Sequence, residues 1–154
     1  SGKTTLMERL VSEITARGFS VSTVKHAHHT FDVDHEGKDS FRHRAAGARE
    51  VLLASRNRWA LMHEMQNDEE PALSELLEKL SPVDLVLIEG YKRDSHAKIE
   101  AHRAETKQGL LACDDPTVAA VASNHMVDGL SIPQFDLDDV VAIASYILKE
   151  VGLE

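Results

Sequence analysis

The string Ser1-Gly2-Lys3-Thr4-Thr5 constrains this chain more than any other feature. It carries the second half of the phosphate-loop pattern G-x-x-x-x-G-K-[ST] and runs straight into a helical pattern. Gly2, with Ser1 beside it, lets backbone N–H groups approach phosphate oxygens closely. The helix starting near Lys3 points its positive dipole end at the same oxygens, and Thr5 extends that turn. Lys3 neutralises charge on the terminal phosphates and is the first catalytic candidate. Thr4 offers a hydroxyl to a magnesium ion. The first glycine of the pattern would precede Ser1, so the reading expects a strand and half a loop upstream.

A nucleotide loop of this kind needs an acid at the end of a buried strand. The run Asp84-Leu-Val-Leu-Ile-Glu89-Gly90 supplies one. Its short continuous apolar stretch suits a strand covered on both faces, as in a parallel sheet. Glu89 at its end is the candidate magnesium-holding carboxylate and the second catalytic candidate. Gly90 leaves the backbone room for phosphates. Tyr91-Lys92-Arg93, with His96 and Lys98 behind, forms a basic cluster.

The alternation of elements places these motifs in an α/β layered domain spanning all 154 residues. Leu6, Leu10 and Ile14 recur at helical spacing, predicting a helix over 3–16 that stops at Gly18. Strands are expected over 19–24, 84–88, 98–101 and 118–122. A hairpin is expected from 50–54 and 58–63. Helices are expected over 40–48, 68–80 and 137–151, with Pro71 in the first turn of the second of these. The fold class is therefore a P-loop NTPase: a mostly parallel sheet flanked by helices, with an antiparallel hairpin inserted.

Charge and cysteine usage exclude several function classes. A formal net charge of −9 argues against nonspecific DNA or RNA binding, which needs a basic face. One cysteine, Cys113, rules out an internal disulfide and a Cys-only metal site. No apolar run reaches transmembrane length, so neither nucleic acid nor a membrane is an expected partner, and the cytoplasm is the expected setting.

Between the first strand and the next helix lies Lys25-His26-Ala27-His28-His29, followed by Asp32, Asp34, His35, Asp39 and His43. Three readings compete. A metal site would use His26, His28, His29 and an aspartate. A nucleotide- or partner-contacting loop would bring Asp34 or Asp39 to the magnesium–phosphate site and present Lys25, His26 and His28. A merely solvated polar loop is the third.

Taken together, these segments resemble the molybdopterin-guanine dinucleotide biosynthesis protein B (MobB-type) family. The resemblance rests on SGKTTL at Ser1, TVKHAHH at Thr23, EGKDS at Glu36, RAAGA at Arg44, ASRNRWALM at Ala54, DLVLIEGYK at Asp84 and AVAS at Ala120. It implies a homodimer that binds GTP with Mg2+, hydrolyses it weakly, and acts as an adapter in molybdenum cofactor biosynthesis. The implied partners are the guanylyltransferase that completes the cofactor, and molybdopterin itself. Carried over by residue, Gly2, Lys3, Thr4 and Thr5 would bind phosphates, Thr4 and Glu89 would serve magnesium, and Asp39 and Asp34 would approach from the loop. His26, His28 and Lys92 match motif positions. No Asn-Lys-x-Asp string is present to read guanine, and Ser123-Asn124 is the substitute candidate.

Two rivals use the same loop. A small-molecule kinase would hold its anionic acceptor with Lys92, Arg93 and Lys98, and would draw a lid from Arg42, Arg44 and Arg49. A metal-insertion NTPase would use the histidine stretch as carrier.

Overall fold

A computed structural model describes residues 3–27, 33–34, 36–105 and 109–154, apart from the Thr4 side chain. In chain order the elements are α1 (Lys3–Ala16), β1 (Val21–Lys25), α2 (Asp39–Ala45), β2 (Glu50–Ala54), β3 (Trp59–His63), α3 (Leu73–Leu77), β4 (Leu85–Glu89), β5 (Lys98–His102), a 3-10 turn (Leu111–Cys113), β6 (Val118–Ser123), β7 (Gln134–Asp136) and α4 (Val140–Glu150). They gather into two compact units, residues 1–26 with 80–154, and residues 27–79.

The first unit holds the parallel strands. Helix α1 buries Leu6, Leu10 and Ile14, one face at the spacing the sequence predicts. It ends where Gly18 takes φ +94. There the Gly18 N–H donates to Thr15 O at 3.0 Å and the Phe19 N–H to Ile14 O at 3.4 Å, the paired bonds of a glycine-terminated helix. The chain then enters β1, which pairs in parallel with β4 from Val21↔Leu85 to Lys25↔Glu89. Ser20 and Asp84 set that register by exchange. The Ser20 N–H donates to Asp84 Oδ2 at 2.8 Å, and the Asp84 N–H donates to Ser20 Oγ at 2.9 Å.

Strands β5, β6 and β7 form a second parallel set. Helix α4 starts at Val140 because the Asp139 carboxylate caps it, accepting from the Ala142 N–H at 3.1 Å. Leu85 and Leu87 of β4, Ala122 of β6, and Ile143, Ala144 and Leu148 of α4 join the α1 face in one core. Arg17 ties α1 to α4 by donating to Ser145 Oγ at 3.0 Å, Val141 O at 3.1 Å and Glu154 at 3.1 Å.

The second unit contains the antiparallel β2–β3 hairpin, in register from Glu50↔His63 to Ala54↔Trp59. The Ser55 N–H donates to Arg58 O at 2.8 Å across its turn. The 50–54 strand is as expected from the sequence, and β3 starts one residue late.

Three expectations need correction. The helix expected over 68–80 shortens to α3, with Pro71 outside it. Ala72 is extended at φ −65 and ψ 152 and offers no side-chain cap, and proline disfavours a helical residue before it. The helix expected over 137–151 starts later, because Leu137 lies in the turn after β7, where its N–H donates to Ser123 O at 3.0 Å. Strand β7 and the 3-10 turn were not expected, since three residues are too few to carry a period.

Ile143 is fully buried and Val141, on the same helix, is 55% exposed. Ile143→Ala should therefore lower the unfolding free energy by about 2–5 kcal/mol in a urea titration. Val141→Ala should stay within about 0.5 kcal/mol.

Candidate functional site

Of the sequence-predicted residues of the first unit, Lys25, His26, Glu89 and Gly90 lie together at the carboxyl ends of β1 and β4. Lys25 lies opposite Glu89 in the ladder, and the His26 N–H donates to Glu89 O at 2.9 Å. The chain then turns sharply. Gly90 takes φ +98 and Tyr91 φ +55, two successive left-handed residues. A Cβ on Gly90 would stand 2.8 Å from His26 Cβ, so this position admits glycine on both space and conformation. The rings of His26 and Tyr91 stack, with centroids 4.3 Å apart and planes 19° from parallel. The Asp94 N–H closes the following turn on Tyr91 O at 3.0 Å, which leaves Lys92 exposed in it.

Helix α1 packs on the same two strands. Residues 17–20 reverse the chain between α1 and β1, and the helix packs its apolar face on Leu85 and Leu87. It therefore runs antiparallel to the strands, with its N-terminus toward their carboxyl ends. Lys3 and Thr5 are exposed there. Ser1, Gly2, the Thr4 side chain and His28 lie outside the described residues. The donors present suit a hard cation shared with phosphate. Magnesium takes one or two protein oxygen ligands and fills its octahedron with phosphate oxygens and water. Glu89, half-buried at the strand end, is such a donor.

Asp34 and Asp39 belong to the second unit. Asp34 is buried, and both its oxygens accept from Arg44: Oδ1 from Nη2 at 2.6 Å, Oδ2 from Nε at 3.3 Å. Arg44 also donates to Glu64 at 3.2 Å and lies over the Phe41 ring at 5.3 Å. The Arg44 hydrogen bonds, with one from Ser40, hold the Asp34 carboxyl below the usual carboxylate range against the opposing effect of burial. In this arrangement Asp34 anchors its loop to α2. Asp39 opens α2 and is exposed.

Several groups wanted by the rival readings are engaged elsewhere. The Lys98 ammonium donates to Asp94 O, to His96 O at 2.9 Å and to Thr117 Oγ1 at 2.8 Å, so it is not an open anion ligand. Arg44 is bound as described, and Arg49 donates to Gln66 at 3.3 Å. Among the described residues no group of three or more His, Cys, Asp or Glu side chains converges on a metal position. His29, Asp32 and His35 of that reading lie outside the described residues. The Asn124 amide is committed too. Its Nδ2 donates to both Glu105 oxygens at 3.1 Å, and its Oδ1 accepts from the Ala104 N–H at 2.9 Å. The base contact expected of it has no support. The His26–Tyr91 stack was missed by the sequence reading, which counted Tyr91 only within a basic cluster.

The depressed Asp34 carboxyl stabilises the fold above the unfolded-state value of about 4, and that contribution disappears as pH falls through the lower folded value. Asp34→Asn should therefore flatten the loss of stability below about pH 4. Urea midpoints from pH 5 down to pH 2.5 for both proteins would show it, and parallel curves would contradict it.

Comparison with known proteins places this geometry in a family. The model of molybdopterin guanine dinucleotide synthesis protein B (MobB) matches residues 1–124. The molybdopterin-guanine dinucleotide biosynthesis adapter protein of Escherichia coli K12 is 38% identical, over 97% of this chain and 86% of its own. The adapter protein of that name from Haemophilus influenzae Rd is 40% identical, over 96% and 82%. A crystal structure of molybdopterin-guanine biosynthesis protein B superposes with TM-score 0.73 at 29% identity, covering 97% of this chain and 93% of that one. A MobB homologue from Bacillus stearothermophilus gives 0.74 at 27%, covering 99% and 92%. The expected α/β class, with parallel strands, flanking helices and an antiparallel hairpin, is the one these structures share. The match spans most of the chain and takes in both the phosphate-loop residues and the Glu89 strand, and the chain belongs to the molybdopterin guanine dinucleotide synthesis protein B family.

Proposed function

We propose that this protein is an adapter in molybdopterin guanine dinucleotide biosynthesis that binds GTP with Mg2+ at the carboxyl ends of β1 and β4. The observation that carries the reading is the placement of Glu89. It ends a parallel strand beside a glycine-only turn, on the side toward which the N-terminus of α1 points. Backbone N–H groups around Ser1 and Gly2 would hold phosphate oxygens, joined by the first turn of α1 at Thr5. Lys3 would neutralise the terminal phosphates. Thr4 and Glu89 would hold the metal, which draws charge off the phosphates when bound. Lys25, Lys92 and Gly90 border the same patch.

Hydrolysis at such a site is slow. Lys3 stabilises charge on the transferred phosphate, yet no described side chain at the patch is placed to orient a water. A slow reaction suits an adapter that works beside the guanylyltransferase and molybdopterin in the cytoplasm. No helix among the described residues is long and apolar enough to cross a membrane.

The adapter is a homodimer in this reading, supported by the hairpin of the second unit. Cross-strand pairing places Leu52 and Leu61 on one face with Trp59, and these are 63%, 51% and 70% exposed. Arg56 and Arg58 lie at the turn end of the hairpin, and Glu50 and Glu64 at its open end. A second copy laid antiparallel would cover the apolar stripe and match opposite charges at both ends.

Lys3→Ala should weaken Mg2+-dependent binding of a non-hydrolysable GTP analogue by about 100-fold or more. Its urea midpoint should not move, since Lys3 is exposed. A loss of stability matching the loss of binding would sink the assignment. Trp59→Lys should shift the sedimentation coefficient from dimer to monomer at micromolar concentration. An unchanged coefficient would remove the hairpin from the interface.

A further inference from the structure

Glu89 is the last residue of β4, and its direction depends on the backbone that follows it. That backbone is unusual. Gly90 and Tyr91 are consecutive left-handed residues, and a left-handed aromatic residue is uncommon and persists only where its surroundings hold it. The surroundings here come from one residue of the neighbouring strand end. The His26 N–H binds Glu89 O at 2.9 Å, its Cβ stands 2.8 Å from where a Cβ on Gly90 would lie, and its ring stacks on Tyr91 with centroids 4.3 Å apart. His26 therefore touches three successive residues, 89, 90 and 91, by three different contacts. It is also the residue through which β1 passes into the histidine-rich segment.

We propose that His26 and Tyr91 are positioning residues for Glu89: their stacked rings lock the left-handed turn that aims this carboxylate at the metal–phosphate position. The inference rests on the nucleotide-binding reading above. The imidazole face packs on the phenol ring, and a phenylalanine ring at position 26 reproduces that stack. If the turn relaxes, Glu89 keeps its place in the ladder but loses its aim. Phosphate contacts made by the α1 loop are then untouched, and the metal-dependent part of binding is lost. Because the two rings act as one brace, removing the second ring after the first changes little.

Calorimetric titration of the full chain with a non-hydrolysable GTP analogue, with and without Mg2+, tests this. The variants are His26→Ala, His26→Phe, Tyr91→Ala, Tyr91→Phe and the double alanine. The expected result is an about tenfold loss of the Mg2+-dependent gain in affinity for either single alanine, with the metal-free affinity changing far less. The double alanine should be no worse than either single variant, and both phenylalanine variants should retain the gain. An unaltered Mg2+ gain in His26→Ala overturns the proposal. So does an equal loss with and without metal, which marks general damage to the site. Failure of His26→Phe also overturns it, because the imidazole nitrogens and not the stack would then be needed. Wild-type protein that binds no guanine nucleotide overturns the nucleotide reading itself, and this inference with it.

Discussion

The parallel pairing of β1 with β4 is the constraint on which the rest of the structure depends. Parallel neighbours cannot be joined by a tight turn, so the chain must leave the sheet after β1 and return before β4. The excursion holds the whole second unit, with its own hairpin and its own anchored loop. The same pairing puts the ends of β1 and β4 side by side, where the ladder closes on Lys25↔Glu89. A ligand crevice outside the carboxyl ends of parallel strands is a general consequence of this topology. The Ser20–Asp84 exchange at the opposite end keeps the register, and a slip by one residue would turn Glu89 to the other face.

Several cationic side chains in this acidic chain are committed to structure. Arg17 joins two helices, Arg44 joins a loop, a helix and the residue after β3, and Lys98 joins two turns. Each makes several bonds to fixed acceptors, and a cation so held is a poor ligand for a mobile anion. Of the groups in the kinase reading, Lys98 and Arg44 are held in this way, and Lys92 and Arg93 are exposed.

Much of this was legible in the residues because the signals are local. The apolar spacing of Leu6, Leu10 and Ile14 matches α1 end to end, and Gly18 stops it as its conformational freedom requires. The alternation in 50–54 and the β-branched and apolar runs at 84–88 and 118–122 marked strands within a residue or two. The place of Glu89-Gly90 at the end of β4 was legible because an acid and a glycine close an apolar run. Helix 68–80 misled because Pro71 was read as a first-turn residue, whereas the chain is still extended at Ala72.

The sequence by itself determined most element types, the phosphate-loop pattern that opens α1 and the acid that ends β4, since each is carried by neighbouring residues. Only the tertiary structure decided which polar groups are open. Asp34 looks like a ligand in the sequence, and it is held by Arg44 ten positions away. Asn124 looks like a base contact, and it is bound to Glu105 across a strand end. Tyr91 looks like part of a basic loop, and it lies on His26 of another strand. These contacts join residues ten or more positions apart, and no local period or motif encodes a pairing that exists only after the chain has folded back on itself.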